Sequence, residues 1–440
     1  MRRAAAVAAI AALVLALALL VSLETVTPRD LLIAGPGLVL LVVGAWSAWV
    51  RRGSMRLMAL GFVAAGLATV IWSALAGDRA LWRWSGIAAA SVISVAAAGY
   101  ALRRRDRRVV GAARAPTPRH PVLFVNPKSG GGKAEAVDLE VECHARGIDP
   151  IVIGPDGDLR KLAEDAVARG ADVIGMAGGD GSQAIVGAVA SEHWIAHVVV
   201  PAGTRNHFAL DLGLDRDDVV GALDAFTDGV ERTIDLAEVN GRPFVNNASL
   251  GVYAKIVQSP EYRDAKVQTV IEKLPELVGP DAEPQDLRFT GPDGEEVPTA
   301  EVIQVSNDPY ELRHAEGRGS RPHLDRGVLG VVAINVSSAA DLQRFISLQA
   351  VGQLDRFEGW REWTTERFEV RSEGPVDVGV DGEALTMDPP VVFTSKPGAL
   401  RVRLPAHAPG MSPAAEAVHL TDRSTVVTLL RIAAGMPESA

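Results

Sequence analysis

Cysteine occurs once in the 440 residues, at Cys143, which excludes an internal disulfide and any cluster of metal-binding thiolates and fits a reducing compartment. The chain also lacks internal repeats and long low-complexity segments, so repeat architectures are set aside. Acidic residues are scarce at one end: residues 1–120 hold 15 Lys and Arg against 4 Asp and Glu, a net +11, whereas the remainder holds 29 against 50, a net −21. A body that acidic has no broad basic face for a phosphate backbone, so nucleic acid is not an expected partner.

The first 120 residues are rich instead in long apolar runs. Four stretches, at about residues 4–23, 31–50, 57–76 and 84–102, each suffice to cross a ~30 Å hydrocarbon core at 1.5 Å per helical residue. They predict a four-helix transmembrane anchor over residues 1–118. A cleaved signal peptide is the alternative for the first run, because Arg2 and Arg3 precede it; no small-x-small cleavage site follows, and a second run comes at once. Arg2, Arg3, Arg51, Arg52, Arg56 and the basic stretch from Arg103 to Arg108 fall on one side of the expected bundle, against Arg29, Arg79 and Arg83 on the other. That asymmetry places both termini in the cytoplasm. The expected location is the cytoplasmic membrane, multi-pass, with the downstream domain on the side where ATP is and the Arg103–Arg108 stretch against anionic headgroups.

From Arg119 the pattern alternates. Short β-branched runs (Val122 to Val125, Ile151 to Ile153, Val173 to Met176, Val198 to Val200) are separated by helix-compatible stretches such as Leu159 to Arg169 and Ser182 to Ala190, which argues for a parallel sheet covered by helices. Asp158 and Ser129 are candidate N-caps. Beyond Thr233 strands dominate: Thr233 to Val239, Phe244 to Ser249, Glu301 to Val305, Val328 to Val336, Phe368 to Arg371, Val376 to Val380, Val391 to Thr394 and Leu400 to Leu404, with helices near Val267 to Leu277 and Ala340 to Leu348. The fold class is thus a multi-span helical anchor (1–118), an α/β nucleotide-binding lobe (119–232), a β-sandwich lobe (233–410) and a C-terminal tail or helix (411–440), with the active site between the two lobes.

Two glycine-rich turns carry the chemistry. Val122 to Val125 leads into Asn126-Pro127-Lys128-Ser129-Gly130-Gly131-Gly132-Lys133, and Val173 to Met176 leads into Gly178-Gly179-Asp180-Gly181-Ser182. Glycines after a buried strand let backbone N–H groups approach phosphate oxygens where a Cβ would intrude. A Walker loop ending at Gly132-Lys133 is excluded, because Ala134 stands where a Mg²⁺-binding Ser or Thr is needed and Pro127 where the first glycine would be. The lesser reading of Asp180 is a turn or cap aspartate, and the residues alone would make Asp381-Gly382 a plain hairpin turn.

The order of Asn126-Pro127-Lys128-Ser129-Gly130, Gly178-Gly179-Asp180-Gly181-Ser182, Pro201-Ala202-Gly203-Thr204-Arg205-Asn206 and Asp381-Gly382-Glu383 resembles the diacylglycerol kinase catalytic-domain family, over roughly residues 120–405. Phe244 to Gly251 resembles it as well. The resemblance implies an NAD-kinase-like α/β lobe, ATP with Mg²⁺ as cofactors, and phosphoryl transfer to a lipid hydroxyl. The implied nucleotide contacts are Asn126, Pro127, Lys128, Ser129, Gly130, Gly131, Gly178, Gly179, Asp180, Gly181, Ser182, Gly203, Thr204 and Asn206, with Asp180 reaching the metal through Mg-ATP. Asp381 is the implied base and Glu383 a second carboxylate near the phosphates. Departures from the family pattern stand at Ala184 and Ile185, where Asn and Glu are usual, at His207 for Asp, and at Arg326, where bacterial relatives carry an aspartate for a structural Mg²⁺ and Asp325 is one residue out of register. No structural metal is expected in that loop.

The leading expectation is a membrane-anchored lipid kinase acting on diacylglycerol or a related glycerolipid, with ATP, the lipid and the bilayer as partners and a homodimer allowed for. The alternative is a catalytically weakened nucleotide- or lipid-sensing module of the same fold, which Ala184, Ile185 and His207 would mark. A soluble NAD-kinase-like role ranks third, since four spans would serve no purpose for a soluble dinucleotide.

Overall fold

The computed structural model describes residues 2–21, 40–41, 44, 60–69, 81–102, 113–251, 286–312, 319–336, 338–350, 353–416 and 423–435. The chain divides into two compact units, Arg107–Glu416 and a second made of Met1–Asp106 with Ala417–Ala440. The helix expected near Val267 to Leu277 lies outside the described residues.

In the larger unit, strands Asp149–Val152, Pro121–Val125, Val173–Ala177 and Ala196–Val200 lie side by side in that order, all parallel. Three of the four are buried along their whole length, as a parallel sheet with both faces covered requires. Alternate side chains divide between the faces. Phe124, Ile174 and Met176 pack with Ala163, Ala166, Val186 and Val189 of helices Leu159–Ala168 and Asp180–Glu192, while Leu123, Val125 and Val173 pack with Leu139, Cys143, Leu223 and Phe226. Asp158 caps the first of these helices, accepting from Lys161 N at 3.1 Å. Ser129 makes no such cap. Gly130, Gly131 and Gly132 all adopt positive φ, and the chain turns through a 3-10 segment, Ser129–Gly131, before the helix Lys133–Ala136 begins.

Beyond residue 229 the chain forms a sandwich. One layer has six strands, in the order Trp360–Thr365, Leu329–Ile334, Val302–Asn307, Asn247–Gly251, Val376–Val380, Glu383–Met387. Facing it are Gly229–Val239, Arg288–Thr290, Arg367–Arg371 and part of Val391–Pro405, and the layers enclose Phe289, Phe368, Phe393, Leu250, Val305 and Val378. Each such side chain contributes about 1.5–3 kcal/mol on leaving water.

Val391–Pro405 is one strand of 15 residues, where the sequence suggests two, Val391 to Thr394 and Leu400 to Leu404. Pro397 reads as a break because it cannot donate to a ladder. The strand passes it through an irregularity between Lys396 and Leu400, with Gly398 N bonded to Asp235 Oδ1 at 2.7 Å. It runs parallel to Ala196–Val200 at one end and antiparallel to Arg367–Arg371 at the other, so a single strand fixes the two lobes to each other.

Beneath the glycine loops lies a buried polar pair. Gln183 donates from Nε2 to the carbonyls of Met176 (2.8 Å) and Val200 (3.3 Å), and its Oε1 meets His197 Nε2 at 2.9 Å. It therefore joins the ends of strands Val173–Ala177 and Ala196–Val200 to the helix that follows the first of them.

In the smaller unit, helix Arg2–Val21 coincides with the first apolar run and Leu81–Leu102 with the fourth; residues 60–69 are helical, and the second run lies outside the described residues except for residues 40, 41 and 44. Among the described residues no helix is long and apolar enough to cross a membrane, so the expected four-span anchor is unsupported there. The C-terminal helix Arg423–Ala434 packs against both helices through Leu429, Ile432 and Ala433.

Burial holds the His197 imidazole down at about 4, against an ordinary 6.5. The folded state therefore keeps it neutral while the unfolded chain takes up a proton below 6.5, so its contribution is complete above pH 6.5 and is lost as pH falls towards 4, by about 3 kcal/mol at most. Denaturant midpoints of the native chain and of His197→Gln at pH 7.5 and 4.5 test this: the native chain should lose more stability on acidification than the variant, and equal losses would refute the assignment.

Candidate functional site

The four motifs, far apart in sequence, meet at one end of the parallel sheet. Asn126 N bonds to Ala177 O at 3.0 Å, which brings the first glycine turn beside the second. A Cβ on Gly130 would collide with the carbonyl oxygen of Ala202, and one on Gly203 would lie 2.5 Å from Gly179 Cα and 2.7 Å from Asn206 Oδ1. These two glycines are needed by the protein itself, because the loops touch backbone to backbone. Asn206 braces the third loop as expected of it, donating from Nδ2 to the carbonyls of Pro201 and Gly203, both at 2.9 Å. Gly179 differs. Its φ of −83° and ψ of 174° suit any residue, and the nearest atom to a Cβ there would be Ser129 Oγ at 4.0 Å. The space in front of Gly179, at the N-terminus of the 13-residue helix Asp180–Glu192, is open to an anion, which the helix dipole would favour. Lys128 and Thr204 are exposed at its edge. Lys133 instead pairs with Asp217 at 3.2 Å.

Asp180 begins that helix but turns away from the open space. Its Oδ2 accepts from His207 N (3.1 Å) and its Oδ1 from Phe208 N (3.2 Å), so its contacts are those of a cap on the helix His207–Asp211. Burial pushes its carboxyl above the usual range, against those two donors and the Arg321 charge.

Asp381 and Gly382 have φ of 46° and 89° and join strands Val376–Val380 and Glu383–Met387 in a two-residue hairpin. The Asp381 carboxylate folds back onto the second lobe: Oδ2 accepts from Val245 N (2.8 Å) and Oδ1 from Asn246 N (2.9 Å) and Asn247 N (3.1 Å). Burial pushes it up to about 7, with the three N–H donors pulling down and Asp180 pushing up. Glu383 lies beside Gly181, where a Cβ would meet its Oε1 at 2.7 Å, and pairs with Arg242 at 2.5 Å. A cavity of about 460 Å³ runs along this seam, lined by Leu159, Gly181, Ala184, Ile185, Arg242 and Asp381 among others. Ala184 and Ile185, where the family pattern is polar, thus give it an apolar wall.

The residue that no sequence signal disclosed is Arg321. It is fully buried and donates from Nε to Asp211 Oδ2 (2.7 Å), from Nη1 to the carbonyls of Val245 and Asn307 (both 2.6 Å), and from Nη2 to Asn246 Oδ1 (2.9 Å); its own N–H reaches Asp211 Oδ1 at 3.0 Å. Tyr310 lies under the guanidinium at 5.5 Å, and its hydroxyl accepts from Asn247 Nδ2 at 3.1 Å. Arg321 sits in a Ser-Arg-Pro context between two strands, which in sequence reads as an ordinary surface loop. Nearby, Asp235 holds the turn before Leu329–Ile334 by accepting from Gly327 N at 2.5 Å; Asp325 and Arg326 are exposed. Asp308, buried between these elements, is pushed up to about 7 by burial and by Asp235.

Nucleotide and metal fare differently against this geometry. The open space at Gly179 and Gly131, rimmed by backbone of three loops, fits a polyphosphate. For Mg²⁺, no group of three or more His, Cys, Asp or Glu that could hold an ion occurs among the described residues, and the oxygens of Asp180 and Asp381 are already engaged by N–H donors.

Comparison with known proteins bears on the same residues. Residues 120–239 match the family model described as diacylglycerol kinase catalytic domain. The chain is 39% identical over 120 residues to a diacylglycerol kinase of Bacillus subtilis (strain 168), covering 27% of this chain and 39% of that protein. It is 28% identical over 276 residues to a probable lipid kinase YegS-like protein of Pseudomonas aeruginosa, covering 58% and 83%. A solved structure of a diacylglycerol kinase from Bacillus anthracis str. Sterne shares the fold, with a TM-score of 0.50 at 20% identity over 66% of this chain and 98% of that one. The matched domain and the relatives are those of lipid kinases, and the solved structure shows a shared fold.

Gly179→Ala and Gly203→Ala separate the loops' two roles. The first adds a Cβ to open space on an unstrained backbone, so it should fold with an unchanged denaturation midpoint yet bind ATP at least about tenfold more weakly. The second should lower the midpoint itself. Unchanged ATP affinity in Gly179→Ala, measured by calorimetry, would move the nucleotide away from this helix.

Proposed function

We propose that this chain is a membrane-anchored lipid kinase that moves the γ-phosphoryl group of ATP to a lipid hydroxyl, with diacylglycerol or a related glycerolipid as acceptor. The observation that carries the reading is the meeting of the three loops at one end of the sheet with the Asp381 hairpin beside the second of them, where Gly181 lies against Glu383 and shares a cavity wall with Asp381. Phosphoryl transfer asks a protein mainly for positioning and for charge stabilisation. The N–H groups of the first glycine turn beyond Ser129 and those of Gly179–Gly181 supply donors for the phosphates, and Lys128 adds a cation at the rim. Asp381 is held by three backbone bonds in one orientation and accepts the proton of the attacking lipid hydroxyl. Mg²⁺, which the family implies, supplies charge neutralisation on the phosphates when bound; since the described carboxylates do not form a ligand set, no step runs through a protein-held metal.

The anchor rests on the four apolar runs of the sequence and on how the described helices pack. In Arg2–Val21 the alanines Ala6, Ala9, Ala12 and Ala16 are buried, while Val7, Leu13, Val14, Leu15 and Leu17 are 50–60% exposed. Small residues inside and large apolar ones outside is the arrangement of helices surrounded by lipid, where close approach of backbones drives packing. The arginine asymmetry then sets the catalytic unit on the cytoplasmic side of the cell membrane. Tethering raises the effective concentration of an acceptor confined to the bilayer.

A nucleotide-sensing module is the second reading, favoured by the apolar wall at Ala184 and Ile185 and by the full engagement of Asp180. Purified protein in mixed lipid micelles with γ-labelled ATP distinguishes the two: label should appear in one glycerolipid class, and Asp381→Asn should cut turnover by about 10²-fold or more while ATP affinity stays within a few fold. Because a base works ionised and Asp381 is pushed up to about 7, turnover should rise with pH through about 7 and then level. Absence of labelled lipid from native and variant protein that both bind ATP would favour the module.

A further inference from the structure

The C-terminal helix Arg423–Ala434 carries two apolar stripes. One, formed by Leu429, Ile432 and Ala433, packs on helices Arg2–Val21 and Leu81–Leu102. The other, formed by Val426, Val427 and Leu430, which the 3.6-residue period places on one side, is about half exposed. Arg3 Nε donates to Ala433 O at 3.1 Å, so the last turn of this helix, with its free carbonyls, is fixed at the N-terminus of Arg2–Val21.

We propose that the helix Arg423–Ala434 is a second membrane contact, lying at the headgroup level of an anionic bilayer with Val426, Val427 and Leu430 in the lipid. This rests on the reading of the N-terminal helices as a bilayer anchor. Two features select lipid as the occupant. The helix it packs against itself presents large apolar side chains outward, Leu13, Val14, Leu15 and Leu17. The helix carries Arg423 and Arg431 and no acidic residue, and Arg2 and Arg3 stand at the end it is bonded to, so cations flank the stripe. An apolar stripe beside arginines on a short helix is the composition of a segment lying in the interface. Residues 107–416 are bracketed in sequence by the two parts of this unit, so the contact would tie both ends of the catalytic unit's chain to the membrane.

Two labelled variants of the full chain, Val427→Cys and Leu13→Cys, test this. The native thiol, Cys143, is buried and pushed up to about 12, so the unsubstituted chain serves as the labelling blank. Each variant is labelled with an environment-sensitive fluorophore and reconstituted into vesicles of phosphatidylcholine with phosphatidylglycerol. The probe at position 427 should shift to the blue, resist aqueous iodide and be quenched by lipid bearing a nitroxide near the headgroup; the probe at position 13 should be quenched by a nitroxide deep in the acyl chains. Iodide access at 427 with lipid quenching retained at 13 overturns the second contact alone. Protection of 427 from both quenchers also overturns it, since protein would then cover the stripe. Iodide access at both positions overturns the anchor.

Discussion

The candidate site depends on one buried ion pair, Arg321 with Asp211. Taking a guanidinium out of water costs several kcal/mol, and a carboxylate alone rarely offsets that; what makes the arrangement tenable is that three further N–H groups also find acceptors, in two main-chain carbonyls and Asn246. Removing Asp211 would strand the charge, at about 3–5 kcal/mol. The consequence is geometric as much as energetic. Arg321 fixes the carbonyl of Val245 and the side chain of Asn246, and the N–H groups of residues 245–247 in turn hold Asp381. At its other end it fixes Asp211, the last residue of the short helix whose first N–H groups hold Asp180. Two carboxylates from different lobes are therefore set by one cation that touches neither of them through a hydrogen bond.

The four-motif order was legible because a loop contact that admits no Cβ is written as glycine: Gly130 and Gly203 must be bare for the loops to touch, and that leaves a mark in sequence. The lobes were legible from periodicity, since continuous apolar runs such as Val173 to Met176 differ from the alternation of Val376 to Val380. Arg321 left no mark, because its partners lie 14 to 110 positions away and a lone arginine beside a proline looks like any loop cation. The continuity of Val391–Pro405 was hidden for a related reason: its passage past Pro397 rests on Asp235, more than 160 residues earlier. Asp180 and Asp381 had two readings each, cap or turn against functional carboxylate, and their contacts show that the local role is filled in both. For Asp381 the local role does not compete with the proposed one, since a carboxylate fixed by backbone donors in a tight hairpin is held in a single orientation.

The terminal unit follows a different logic. In the catalytic unit large side chains are buried and the sheet is covered on both faces; in helix Arg2–Val21 alanines are inside and leucines outside. Hydropathy alone cannot separate those cases, because both give apolar runs. The direction in which the large residues point separates them, and it also explains why a C-terminal segment of only moderate hydropathy packs there: Leu429, Ile432 and Ala433 meet alanine-rich surfaces that permit close approach.

The central claim is that the three glycine loops and Asp381 surround a nucleotide polyphosphate. A crystal structure of the chain with a non-hydrolysable ATP analogue and Mg²⁺ tests it most directly. The account predicts phosphate oxygens within hydrogen-bond reach of the N–H groups of the first glycine turn beyond Ser129 and of Gly179–Gly181, with the γ-phosphate directed at the hairpin of Asp381. A nucleotide seated elsewhere, with the space before Gly179 filled by water, would contradict it.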